Sequence, residues 1–157
     1  MPNHDGSEEG VGLDGEGLRI EVPLRAVPKQ SFRAGKYGGY QPARVTRFKA
    51  AVAEWAWVAK QKSKWEVTED PVSIQLEFYF AWPVKTKKSL KEEVRIRTAR
   101  PDLDNLEKAV IDGLHCLWPD DSYVSEKTSA KYNGPDDVII ITVRKIDEDK
   151  RLASICD

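Results

Sequence analysis

Along residues 72–80, "VSIQLEFYF", Val72, Ile74, Leu76, Phe78 and Phe80 alternate with side chains suited to a solvent-facing side. A period of two predicts a strand with one buried face. "LRIEVPL" (18–24) repeats it with Leu18, Ile20, Val22 and Leu24, and Pro23 stands near its end. Over residues 44–64 the period changes. Phe48, Val52, Trp55 and Val58 recur at three- and four-residue spacing, which predicts an amphipathic helix. Trp57 and Trp65 fall off that face. A second helix opens at Asp104 with the stripe Leu106, Val110, Leu114 and Leu117. Two strands follow, over 123–132 and 137–146, with "YNGPDD" between them and an Asn-Gly turn signal inside it. The order β-α-β-α-β-β predicts a single α/β (α+β) domain around a small mixed sheet.

The connecting segments add charge. Residues 25–42 form a long loop with the cations Lys29, Arg33 and Lys36 beside Phe32, Tyr37 and Tyr40, and loops of that length are usually functional or mobile. Residues 83–100 carry Lys85, Lys87, Lys88, Lys91, Arg95, Arg97 and Arg100 against only Glu92 and Glu93, too polar for core. Residues 1–17 are Gly-rich, hold five acids and no Lys or Arg, and read as a disordered tail. Residues 147–157 are a polar C-terminal tail. The net charge of −1 therefore conceals a basic body: 23 basic against 17 acidic residues in 18–146. That surplus permits a polyanionic partner.

Composition excludes several classes. At 157 residues, with 40% hydrophobic and 32% charged side chains, the chain suits one globular domain. No apolar run reaches transmembrane length and the N-terminus lacks a signal-type stretch, so a cytoplasmic protein with no membrane partner is expected. Cys116 and Cys156 lack metal-ligand spacing and read as reduced thiols. His115 has no second histidine outside the N-terminal tail, which argues against zinc. Neither a Walker-type loop nor a Ser-His-Asp set is present, and an EF-hand would need glycine where Asn105-Leu106-Glu107 stands.

What composition leaves open is "RPDLDNLEKAVIDGLHCLWPDDSYV". Taken singly its acids have ordinary roles. Asp104 and Glu107 stand in a capping-box relation, Asp104, Lys108 and Asp112 are spaced for surface ion pairs, and "PDDS" is turn chemistry. Taken together they suggest more. Asp102 and Asp104, two apart in an extended segment, project to one side and repel unless positive charge lies between them. A turn and returning strand would bring Asp120 or Asp121 back toward that pair. Three such carboxylates offer oxygen ligands for Mg2+. Lys108, one turn beyond Asp104, is placed to hold a phosphate oxygen. Acids around a metal with a lysine for substrate charge describe metal-assisted phosphodiester hydrolysis.

The same residues resemble the RusA family of Holliday-junction resolvases. That pattern runs Asp-x-Asp-Asn, Lys three residues after the Asn, Asp four further on, and later Asp-Asp-Ser/Ala. The match covers roughly 18–145 and is specific in 101–124; "VPKQSFR" and "GGYQP" resemble the family's loop between first strand and first helix. The resemblance implies a Mg2+-dependent endonuclease (Mn2+ substituting), homodimeric, often prophage-encoded, that nicks four-way DNA junctions symmetrically. By position it makes Asp102, Asp104 and Asp121 the metal-binding catalytic carboxylates and Lys108 the lysine needed for chemistry. Asp120 is then a neighbour of the third carboxylate, Asp112 orients Lys108, and Asn105 bonds the acidic turn. The cations of 83–100, with Lys29, Arg33 and Lys36, are expected to hold the DNA backbone. Two other readings compete: a non-catalytic module for branched or single-stranded nucleic acid, and a broader Mg2+-dependent nuclease for flaps or forks.

Overall fold

A computed structural model describes residues 11–14, 17–29, 33–35, 38–40 and 42–156. In chain order the elements are β1 (Val11–Asp14), β2 (Gly17–Val22), β3 (Arg33–Gly35), β4 (Gly38–Tyr40), α1 (Ala43–Ser63), β5 (Val72–Ala81), β6 (Arg95–Ile96), α2 (Leu103–Gly113), β7 (Val124–Gly134), β8 (Val138–Lys145) and α3 (Glu148–Cys156). Two short 3-10 turns, His115–Leu117 and Asp121–Tyr123, join α2 to β7. The expected β-α-β-α-β-β order is the succession β2, α1, β5, α2, β7, β8.

The main sheet is mixed, with spatial order β1-β2-β8-β5-β7-β6. Among the described strands only β5 and β7 pair in parallel. The long alternating strand β5 takes a central place because its inward set is wholly apolar: Ile74, Leu76, Phe78 and Phe80 are fully buried. They join Leu18, Ile20 and Val22 of β2, Ile139, Ile141 and Val143 of β8, and the apolar stripes of α1 and α2 in one core. The short β3–β4 ladder stands apart from this sheet.

Because β5 separates β7 from β8, "YNGPDD" closes no hairpin. The Asn-Gly pair instead extends β7, where Asn133 and Gly134 pair with Phe80 and Ala81. A continuous ladder outweighs the local turn preference, and the bend falls at Pro135 and Asp136. Asp137 fixes the crossing, its Oδ1 accepting from the Ala81 amide at 2.8 Å and from Arg25 at 3.2 Å.

The buried face of α1 also differs from expectation. It comprises Val45, Phe48, Val52, Ala56 and Ala59, while Trp55 is half-buried and Val58 exposed. The stripe continues through alanines, which admit close packing, so hydrophobicity alone misdirects the reading at Val58. Lys64 ends the helix in the left-handed region at φ 57°. The turn delivers Trp65 into the core, where its indole donates to the Leu117 carbonyl at 2.9 Å.

The stretch 1–17, expected as a tail, contributes β1 to the sheet edge through Val11–Asp14; residues 1–10, 15 and 16 lie outside the described residues. Most of the polar C-terminal stretch is α3, whose side chains are all exposed. Among the described residues no helix is long and apolar enough to cross a membrane.

Candidate active site

The central question is what the aspartates around α2 are doing. The helix begins at Leu103, so its N-cap is Asp102 and not Asp104, yet the Asp102 carboxylate makes no capping hydrogen bond. The expected capping box at Asp104 is absent, since Asp104 already lies inside the first turn. Glu107, which would have to reach back, is held instead by Lys127 of β7 at 2.8 Å. Asp102 and Asp104 are thus two exposed carboxylates at the positive end of a helix, neither used as a cap. Lys108 approaches Asp104 only loosely, at 3.9 Å, with both side chains well exposed.

The approach to Asp102 is tied down from β7. Lys131 donates to the carbonyls of Ala99 at 2.8 Å and Pro101 at 2.7 Å, and the Arg97 amide donates to the Lys131 carbonyl at 3.0 Å. Sequence reasoning did not find Lys131. Its only signal is a strand position, opposite Phe78, where a long side chain must pass along the sheet to reach a polar partner. Arg97, expected on the DNA backbone, is committed to structure as well. Its guanidinium lies over Phe80 at 4.4 Å and bonds Asn133 Oδ1 and the Arg100 carbonyl. Burial and the nearby Arg25 lower its pKa.

At the far end of α2, Asp120 accepts from the Ser122 amide at 3.2 Å, and hydrogen bonding to Ser122 lowers its pKa. Asp121 Oδ1 accepts from the indole of the buried Trp118 at 3.0 Å. Among the described residues no group of three or more Asp, Glu, His or Cys side chains is arranged to hold a metal ion. Asp121 is instead oriented by Trp118.

Asp112 does not orient Lys108. Its Oδ2 accepts from Lys49 of α1 at 2.9 Å and from Lys29, in the stretch after β2, at 3.0 Å. Burial works to raise its pKa, but hydrogen bonds from Lys49 and Lys29 outweigh it and the net shift is downward. Lys29 also donates its backbone amide to the Asn105 carbonyl at 2.9 Å, so it grips α2 at two points. Lys49 is a second residue that sequence reasoning missed.

The other expected DNA contacts divide into two groups. Lys85, Lys87, Lys88 and Arg100 are exposed. Lys91 bonds the Val84 carbonyl at 3.0 Å and Arg95 pairs with Glu93 at 2.6 Å. The Arg33 side chain and Lys36 lie outside the described residues.

A hard divalent cation fits the Asp102–Asp104 pair by donor chemistry: two exposed carboxylates without capping duties, of the kind that holds Mg2+ with waters completing the shell. No third carboxylate is grouped with them as a ready-made cage among the described residues. With Lys108 alongside, the pair can hold an ion and a phosphate group next to each other.

Comparison with known proteins agrees with this chemistry. Residues 23–144 match the family model described as Endodeoxyribonuclease RusA. The chain is also 32% identical over 126 residues to the Uncharacterized protein YqaN of Bacillus subtilis (strain 168), a match spanning 76% of this chain and 87% of that protein.

Proposed function

The chain belongs to the RusA family of endodeoxyribonucleases, and from that premise we propose that it resolves four-way DNA junctions by symmetric paired nicks as a Mg2+-dependent homodimer. One observation carries the reading. Asp102 and Asp104 are exposed at the positive end of α2 and do not cap it, with Lys108 one turn away. The helix dipole alone gives such exposed acids about 0.3–1 kcal/mol each, and the capping bond that would be the main structural role of Asp102 is not made.

Asp102 and Asp104 would hold the divalent ion. When bound, such an ion supplies Lewis acidity at the phosphate and eases deprotonation of water. Lys108 meets a non-bridging oxygen of the scissile phosphate and stabilises the charge that develops there. Lys131 keeps the backbone before Asp102 in place, so the two carboxylates need little reorganisation as the phosphate arrives. For Asp121 we propose the third carboxylate role that the family resemblance assigns, supported by the rigid anchor that Trp118 gives it. Lys85, Lys87, Lys88 and Arg100 serve as backbone contacts that position DNA without reading its bases. A two-fold dimer presents two sites to a junction with its own approximate two-fold symmetry.

The test is cleavage of an end-labelled four-way junction beside linear duplex and a flap, each with Mg2+ or EDTA. Paired nicks on the junction alone, dependent on Mg2+, are expected. Equal cutting of flap or duplex would make the chain a broader nuclease. Binding without cutting under any divalent metal would make it a nucleic-acid-binding module.

A further inference from the structure

Lys29 and Lys49 come from different elements and converge on a single oxygen, Asp112 Oδ2, at 3.0 and 2.9 Å. Two ammonium groups share one carboxylate oxygen, so they are held side by side. The cluster is not sealed in the core. The side chains of Lys29, Lys49 and Asp112 keep 32%, 22% and 31% of their exposure. Its position relative to the acids is set by helix geometry. Asp104, Lys108 and Asp112 follow one another at four-residue steps along one side of α2, each about 6 Å further on. Asn105, whose carbonyl accepts the Lys29 amide, lies seven residues before Asp112, so Lys29 runs alongside the face that bears Lys108.

The cluster is also rigidly placed. Gly113 allows α2 to meet α1 at this point: a Cβ there would lie 2.7 Å from Val52 Cγ1 and 3.0 Å from the Lys49 carbonyl. Close approach of the two helices puts Lys49 within reach of Asp112 and fixes the ammonium group without a long flexible search. A preorganised pair of ammonium groups, partly exposed to solvent, is complementary to the anionic oxygens of a phosphodiester.

We propose that Lys29 and Lys49, held by Asp112, form a phosphate-binding subsite that takes a backbone phosphate flanking the one at Lys108. It rests on the nuclease reading for its location, while the binding it describes needs neither metal nor cleavage. Asp112 is a positioning residue: its carboxylate keeps two mutually repelling ammonium groups together until a phosphate shares them. Lys49, which lies on a helix otherwise read as core packing, thereby becomes a DNA contact.

The experiment is the salt dependence of junction binding in EDTA, measured for the full chain and for Lys49→Met, Lys49→Arg, Asp112→Asn and the control Lys62→Met, with thermal unfolding of each. Each phosphate contact contributes about 0.9 to the slope of log K against log salt on duplex DNA. Lys49→Met should flatten the slope by about that amount, Lys49→Arg should restore it, and Lys62→Met should leave it alone. Asp112→Asn should keep a slope at least as steep as the wild type, because it removes a competing anion and no cation. An unchanged slope in Lys49→Met, with only the melting temperature lowered, would show a structural ion pair and overturn the subsite. Failure of the wild type to bind junction DNA at all would overturn both the subsite and the nuclease reading. Tight wild-type binding without cleavage would overturn only the latter.

Discussion

The indole of Trp118, 2% exposed, donates to the carboxylate of Asp121, on the surface, at 3.0 Å. The hydrophobic core thus sets the direction of an exposed acid. Trp118 fills its place by packing and must then satisfy a buried N–H, and the one acceptor supplied is Asp121 Oδ1.

Trp118→Phe keeps an aromatic ring in the core and deletes that donor. Stability should fall by about 1–3 kcal/mol from the lost hydrogen bond and the smaller ring. If Asp121 acts in the chemistry, single-turnover cleavage should fall by at least about tenfold, equivalent to about 1.4 kcal/mol of barrier, with junction affinity retained. Full cleavage by a folded Trp118→Phe protein would remove Asp121's orientation from the mechanism.

Gly113→Ala should destabilise the fold although alanine is the better helix former. The added methyl meets Val52 and the Lys49 backbone carbonyl, and only the side chain can move aside. Overpacking of about 1–3 kcal/mol outweighs a propensity gain of about 1 kcal/mol. A melting temperature equal to or above that of the wild type would show that α1 and α2 are free to separate.

Lys131→Met should leave the strand in place and release the backbone before Asp102. Two charge-assisted hydrogen bonds to the Ala99 and Pro101 carbonyls disappear. The expected result is a fall in kcat larger than any change in KM, because the carboxylates would have to be ordered during the reaction. Steady-state cleavage kinetics decide it; a change in KM alone would place Lys131 in substrate binding instead.

Acid should weaken the Asp112 cluster. Hydrogen bonds from Lys49 and Lys29, prevailing over burial, hold its folded pKa below the ordinary carboxylate value. Its stabilisation is complete above the unfolded pKa of about 3.9 and is lost as pH falls through the depressed folded value. Urea unfolding at a series of pH values should show wild type more stable than Asp112→Asn by a constant margin from pH 7 to 5. That margin should shrink below pH 4, and a margin that grew on acidification would contradict the assignment.

Periodicity made the frame of the fold legible. The alternation in β5 and the stripe Leu106, Val110, Leu114 and Leu117 are buried as read. Long-range polar relationships were illegible, because spacing along the chain says nothing about a partner 83 residues away, as Lys29 is from Asp112. Spacing therefore points Asp112 toward its neighbour Lys108, while the fold gives it to Lys29 and Lys49. Arg97 belongs to the same class: a cation in a basic segment looks like a free contact until the sheet places Phe80 beneath it. The aspartates are recognisable as a set, but spacing alone does not say which one begins α2: the helix starts at Leu103, and Glu107 pairs with Lys127 of β7.

The most direct measurement compares Asp102→Asn and Asp104→Asn with the wild type for both junction binding and junction cleavage at saturating Mg2+. Binding equal to or tighter than wild type with cleavage reduced by at least about a thousandfold, about 4 kcal/mol, is the expected result. Cleavage that survives in both variants would contradict the assignment of the site to the head of α2.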